Sequence, residues 1–81
     1  MNLLKIKILT PNGVYLEDSI YRLDVRTQSG NMGILYNHAP LVSNLDIAKL
    51  QIIDQDKKSK IYALHGGLLN VKGQEAIIIT S

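Results

Sequence analysis

Cysteine, tryptophan and phenylalanine are missing from these 81 residues, and histidine occurs only twice. Without cysteine there is neither a disulfide framework nor a thiolate metal site, a composition that fits a reducing compartment. Without Phe or Trp, and with only four Tyr, the stacking platform of a single-strand nucleic-acid binder is hard to assemble. Net charge is also small. At +2 it gives no reason to expect nucleic acid. The dense basic cluster, Lys57-Lys58-Ser59-Lys60, follows Asp54 and Asp56 and reads as a solvated hairpin loop; steering toward an acidic partner is the alternative. No apolar run approaches the roughly 20 residues of a membrane-crossing helix. Near the start, Lys5 and Lys7 lie inside an apolar alternation rather than ahead of a longer apolar run, which argues against a secretory signal.

What the chain does contain is short strands and turn punctuation. Its length gives one domain, residues 1–81, burying about 60–65% of its unfolded surface. Leu4, Ile6 and Ile8 alternate with Lys5 and Lys7, the period of a strand. Thr10-Pro11-Asn12-Gly13 makes a turn. A second strand is expected over residues 20–26, with Tyr21, Leu23 and Val25 inward and Arg22, Asp24 and Arg26 toward water. Further strands are expected over residues 49–54, 60–65, 68–72 and 76–80. Gly66-Gly67 is predicted to be a tight reversal between two of them, and Lys72-Gly73-Gln74 another. No helical period persists. The pattern predicts an all-β fold, a small flattened sandwich or barrel of short, mostly antiparallel strands.

Ala76-Ile77-Ile78-Ile79, Ile52-Ile53 and Leu68-Leu69 are apolar on both faces, although a strand in a small antiparallel sandwich should offer one face to solvent. These are either ordinary exposed aliphatics or dimer packing, or a surface that a partner covers. Reactive groups do not converge. There is no phosphate-binding G-x-x-x-x-G-K-[ST] loop, His38 and His65 have no metal-ligand spacing, and Glu17 and Asp18, as strand neighbours, point to opposite faces. Ser29 and Ser43 have no base nearby in sequence. The chain is expected to be non-catalytic, without cofactor, metal or small-molecule substrate.

The densest cluster of special residues is Gly30-Asn31-Met32-Gly33-Ile34-Leu35-Tyr36-Asn37-His38-Ala39-Pro40-Leu41-Val42. Gly30 and Gly33 suit backbone positions that a side chain would strain, and Pro40 holds the chain extended and keeps Ala39 out of helix. His38 between them is either a structural residue bonded to backbone or a contact to a partner. Together with Leu64-His65-Gly66-Gly67-Leu68-Leu69-Asn70-Val71, and with a first strand ending in Leu9-Thr10-Pro11, this segment resembles the amino-terminal β domain of the epsilon subunit of F-type ATP synthases. The familiar form there is G-x-x-G-[IV]-L-P-N-H-A-P, an L-x-x-G strand start, then a G-G-[FLI]-x-x-V hairpin. Tyr36 stands where Pro is common and Ala48 where Gly is common, so Ala48 requires an ordinary φ.

The resemblance implies a flattened β sandwich that clamps the gamma subunit of the central stalk and rests one edge on the polar loops of the c-ring. It implies coupling of ion flow to ATP synthesis or hydrolysis performed elsewhere, with no insertion of this chain into the membrane. Carried over by position, Ser29, Gly30, Asn31 and Met32 would lie nearest the c-ring. Thr10, His38, Ala39, Pro40 and Leu41 would lie toward gamma or the gamma/c-ring junction. The implied location is the cytoplasmic face of a bacterial membrane, or the stromal side of a plastid thylakoid. The family's two-helix hairpin, which inhibits hydrolysis and in some bacteria binds ATP, has no counterpart in this sequence, so neither property is expected. A free-standing interaction module that reuses these turns is the competing expectation.

Overall fold

A computed structural model describes residues 2–27 and 30–80, which form nine strands in two sheets. The strands are β1 (Leu4–Thr10), β2 (Gly13–Ile20), β3 (Arg22–Thr27), β4 (Gly30–Ile34), β5 (His38–Leu45), β6 (Ala48–Ile53), β7 (Ser59–Leu64), β8 (Gly67–Gly73) and β9 (Glu75–Thr80). One sheet has the order β2-β1-β9-β8-β5 and the other β4-β3-β6-β7. Every pairing is antiparallel except that of β1 with β9, which run parallel through five partnered residues, Lys5↔Glu75 to Leu9↔Ile79. The fold is all-β, a sandwich, as the alternation predicts.

The period-two positions meet between the sheets. Leu4, Ile6, Ile8, Leu69, Val71, Ala76 and Ile78 come from the five-stranded sheet, and Leu23, Val25, Ile34, Leu50 and Ile52 from the four-stranded one. All of these are buried, and the described residues include no buried polar or charged side chain. Full burial of each large aliphatic contributes about 1.5–3 kcal/mol, so this layer sets the register of every strand that crosses it.

The turns divide into hairpins and sheet-to-sheet crossings. Pro11-Asn12 closes β1–β2, with Gly13 at φ +119° and Thr10 Oγ1 donating to the Gly13 carbonyl at 3.2 Å. Residues 54–58 close β6–β7. There the Asp54 carboxylate accepts from the amides of Asp56 and Lys58, both at 2.9 Å, and Lys57 takes φ +63°. The basic cluster is exposed but only half of it is hairpin loop: Lys57 and Lys58 lie in the loop, while Ser59 and Lys60 begin β7. Gly73-Gln74 closes β8–β9, as predicted.

Three expectations change. Gly66-Gly67 is not a hairpin reversal, because β7 pairs only with β6 while β8 pairs with β5 and β9. The segment instead carries the chain from one sheet to the other, with Gly66 at φ +146°. Tyr21 is not an inward residue. It occupies the bend between β2 and β3, is exposed, and lies under the Lys57 ammonium at 5.3 Å. Finally, the Gly/His/Pro segment holds two strands, β4 and β5, joined by a turn at Asn37 (φ +63°) that also crosses between sheets. Ala48 starts β6 with ordinary φ and is buried.

Candidate partner-binding surface

The residues singled out from sequence fall at three places. Gly30, Asn31 and Met32 open β4, an edge strand of the four-stranded sheet, where the Gly30 carbonyl accepts from Thr27 Oγ1 at 2.9 Å. Ser29 lies outside the described residues. Gly30 has φ +141°, a conformation that suits a residue without a Cβ. Asn31 is opposite Arg26 and points outward, while Met32 is opposite Val25 and packs against the core.

His38, Ala39, Pro40 and Leu41 open β5, an edge strand of the other sheet. The pairing with β8 jumps from His38↔Gly73 to Leu41↔Val71, leaving exposed Ala39 and Pro40 in a bulge. An edge-strand bulge is a position where proline interrupts no ladder. His38 Nδ1 is 2.7 Å from the Ala39 carbonyl oxygen, a contact that requires the Nδ1-protonated ring. This is the backbone contact that the structural reading of His38 calls for, and it leaves the partner-contact reading open. Leu41 turns in against the core.

Thr10 ends β1 in the same five-stranded sheet, at the end away from His38. The register explains what lies between them. One outward row across this sheet reads Val14, Leu9, Ile79, Leu68, Asn44, and the next reads Glu17, Lys7, Ile77, Asn70, Val42. Val14, Val42 and Ile79 are 56%, 66% and 49% exposed, and Leu9, Leu68 and Ile77 are half-buried. The third row, Ser19, Lys5, Glu75, Lys72, is polar. The apolar patch therefore belongs to the Thr10 end; the double-faced runs at 68–69 and 76–79 contribute Leu68, Ile77 and Ile79 to it, whereas Ile52-Ile53 lies on the other sheet.

Two open sides of the sandwich add concave surface. A cleft of about 300 Å³ beside β4 is lined by Gly30, Asn31 and Met32 together with Ser43, Asn44, Asp46 and Ile47. The second, of about 400 Å³, is lined by Thr10, Tyr15, Ile61, Tyr62 and His65 among others. Tyr15 reaches it because β2 carries an extra residue there: Ile8 pairs with Leu16 and Leu9 with Val14, so Tyr15 is bulged out. Its ring stands edge-on to Tyr62 of β7, centroids 6.1 Å apart at 88°. None of Tyr15, Ile47 or Ile61 stood out in the sequence. A lone exposed aliphatic or aromatic has no periodic signature, and only the register gathers these into a surface.

Residues 3–81 match the family described as "ATP synthase, Delta/Epsilon chain, beta-sandwich domain". The sodium-ion-specific ATP synthase epsilon chain of Acetobacterium woodii is 40% identical over 76 residues, which is 94% of this chain and 57% of that one. This chain thus spans little more than half the length of that relative. Among solved structures, a chain of the Euglena gracilis mitochondrial ATP synthase assembly of OSCP, F1 and c-ring superposes with a TM-score of 0.86 at 23% identity, covering 99% of this chain and 51% of that one. A chain of the Tetrahymena thermophila mitochondrial central stalk and c-ring gives a TM-score of 0.77 at 18% identity, covering 95% and 62%. At those identities the two superpositions establish a shared fold.

Proposed function

The chain belongs to the delta/epsilon-chain family of ATP synthases, and we propose that it acts as a non-catalytic subunit of the central stalk. In this reading it binds the gamma subunit and the c-ring, and so couples ion translocation to ATP synthesis or hydrolysis carried out elsewhere in the complex. It sits peripherally on the membrane face that carries the catalytic head, the cytoplasmic face in a bacterium.

The observation that carries the binding role is the outward face of the five-stranded sheet. Six aliphatic side chains (Leu9, Val14, Val42, Leu68, Ile77 and Ile79) face away from the core across its five strands. A patch of this continuity is characteristic of a protein contact. Thr10 and the His38–Leu41 stretch lie at opposite ends of this same sheet, so one partner lying along it reaches both. We assign that partner as gamma. The start of β4, with Gly30 and Asn31, lies on the other sheet and is assigned to the c-ring loops.

The test is co-elution of the chain with a purified catalytic hexamer, with and without gamma. Binding is expected only when gamma is present, and Ile79→Lys should abolish it while leaving the melting temperature within about 4 °C of wild type. Absence of binding to either form, with the chain folded, would overturn the stalk assignment in favour of an interaction module of another assembly.

A further inference from the structure

On the outward face of the four-stranded sheet, Arg26 of β3 stands directly opposite Lys49 of β6 on one side and Asn31 of β4 on the other. All three side chains are exposed. Like charges directly opposite on one sheet face destabilise it, so a pair of cations in register is an arrangement that the fold by itself does not favour. Among the described residues, neither Arg26 nor Lys49 has a carboxylate within ion-pair distance. Asp24, two positions back on the same face, is held by Arg22, whose Nε donates to Asp24 Oδ1 at 2.7 Å. Asp46 lines the other cleft, beside β4.

The surface beside the pair is concave. A shallow cleft of about 290 Å³ is lined by Arg22, Asp24, Arg26, Asn31 and Gly33. Gly33 contributes no side chain to it, and a Cβ there would run into the Arg22 guanidinium. Arg26 and Asn31 thus belong to the cleft lining, and Lys49 stands next to Arg26 on β6, outside it.

From this we infer that Arg26, Lys49 and Asn31 form a seat for a single carboxylate side chain on a loop of the protein that meets this end of the four-stranded sheet. Given the stalk function proposed above, on which this inference rests, that protein is the c-ring. Arg26 supplies paired N–H donors matched to a carboxylate, Lys49 supplies a second charge, and the Asn31 amide donates from the opposite strand. A phosphate-rich lipid surface fits less well. Polybasic membrane attachment draws on clusters of about four to eight cations, and here two stand in register.

The experiment restores the chain to ATP synthase purified without this subunit and follows the bound fraction at about 50 mM and about 300 mM salt. Arg26→Gln and Lys49→Gln should each weaken binding about tenfold at the lower salt and flatten its salt dependence. The same variants, as free chains, should melt about 1–3 °C higher than wild type, since the in-register repulsion is gone. Lys58→Gln removes an equal charge from the β6–β7 loop and should change neither quantity. Wild-type binding by the Arg26→Gln/Lys49→Gln double variant, at both salts, would overturn the seat and leave the stalk assignment intact. Failure of the wild-type chain to bind at all would overturn both. Vesicles of anionic phospholipid without protein provide the remaining arm, and retention there that is lost in the double variant would overturn the carboxylate in favour of lipid.

Discussion

Replacing Gly67 by alanine should be far more damaging than its position at a strand end suggests. Gly67 begins β8, opposite Thr80 on β9 and Leu45 on β5, at the point where the chain arrives from the other sheet. A Cβ on it would collide with the carbonyl oxygen of Ile79, with the Ile79 carbonyl carbon and the Thr80 Cα each 3.4 Å away. All three are backbone atoms, so no rotamer change relieves the contact; β9 itself must move. Overpacking that shifts backbone costs about 1–3 kcal/mol. A domain of 81 residues has about 4–12 kcal/mol in total at the usual 0.05–0.15 kcal/mol per residue. Taking about 2 kcal/mol, the melting temperature should fall by about 8–16 °C. Gly73→Asn is the comparison. Gly73 has φ +51°, a region asparagine enters with little strain and which Asn37 of this chain already occupies at +63°. Its cost should stay below about 1 kcal/mol. Thermal and urea denaturation of both variants decide the matter. A Gly67→Ala protein within about 0.5 kcal/mol of wild type, or one more stable than Gly73→Asn, would refute the close-approach reasoning.

Two other side-chain arrangements make numerical predictions. A double-mutant cycle on Tyr15→Ala and Tyr62→Ala should yield a coupling of about 0.5–1 kcal/mol from the edge-on ring contact, measured by urea unfolding; zero coupling would mean that Tyr15 is held by β2 alone. Asp54→Ala should destabilise by about 1–2 kcal/mol, since one carboxylate oxygen accepts two amides of the β6–β7 loop. Asp54→Asn, which keeps an acceptor in place, should recover part of that loss.

The parts of the fold that could be read in the sequence are those where alternation and burial coincide. β1, β3, β6, β8 and β9 each place aliphatics at alternate positions that meet in the core, and β7 is legible from its position between turn residues. β2 escapes because it is an edge strand with a bulge: Tyr15 breaks the period, and Glu17 and Asp18 are both exposed, so the face signal disappears. β4 and β5 are hidden by the same glycines, asparagine and proline that direct the path between sheets. The Gly66-Gly67 misreading has a different cause. A glycine pair permits a sharp turn but carries no information about which strand lies beyond it, and that choice is made by the distant partners Leu45 and Thr80. Tyr21 was misassigned because the strand period was carried one residue past the corner. As for the surface, Thr10, Gly30, Asn31 and His38 came from a recognised pattern. The Arg26–Lys49 pairing depends on register between strands more than twenty residues apart, which no local pattern contains.

The parallel pairing of β1 with β9 has a mechanical consequence. β1 begins at Leu4 and β9 ends at Thr80, and they lie side by side in the same direction with β9 between β1 and β8. Tension applied at the start of one and the end of the other pulls the two strands lengthwise past each other. All the rungs of that ladder are then strained together, instead of being opened one at a time as they would be in a hairpin pulled apart at its ends. Such a pairing resists the load until its rungs fail as a group, and because β1 and β9 are both interior to the sheet, between β2 and β8, neither is an edge strand.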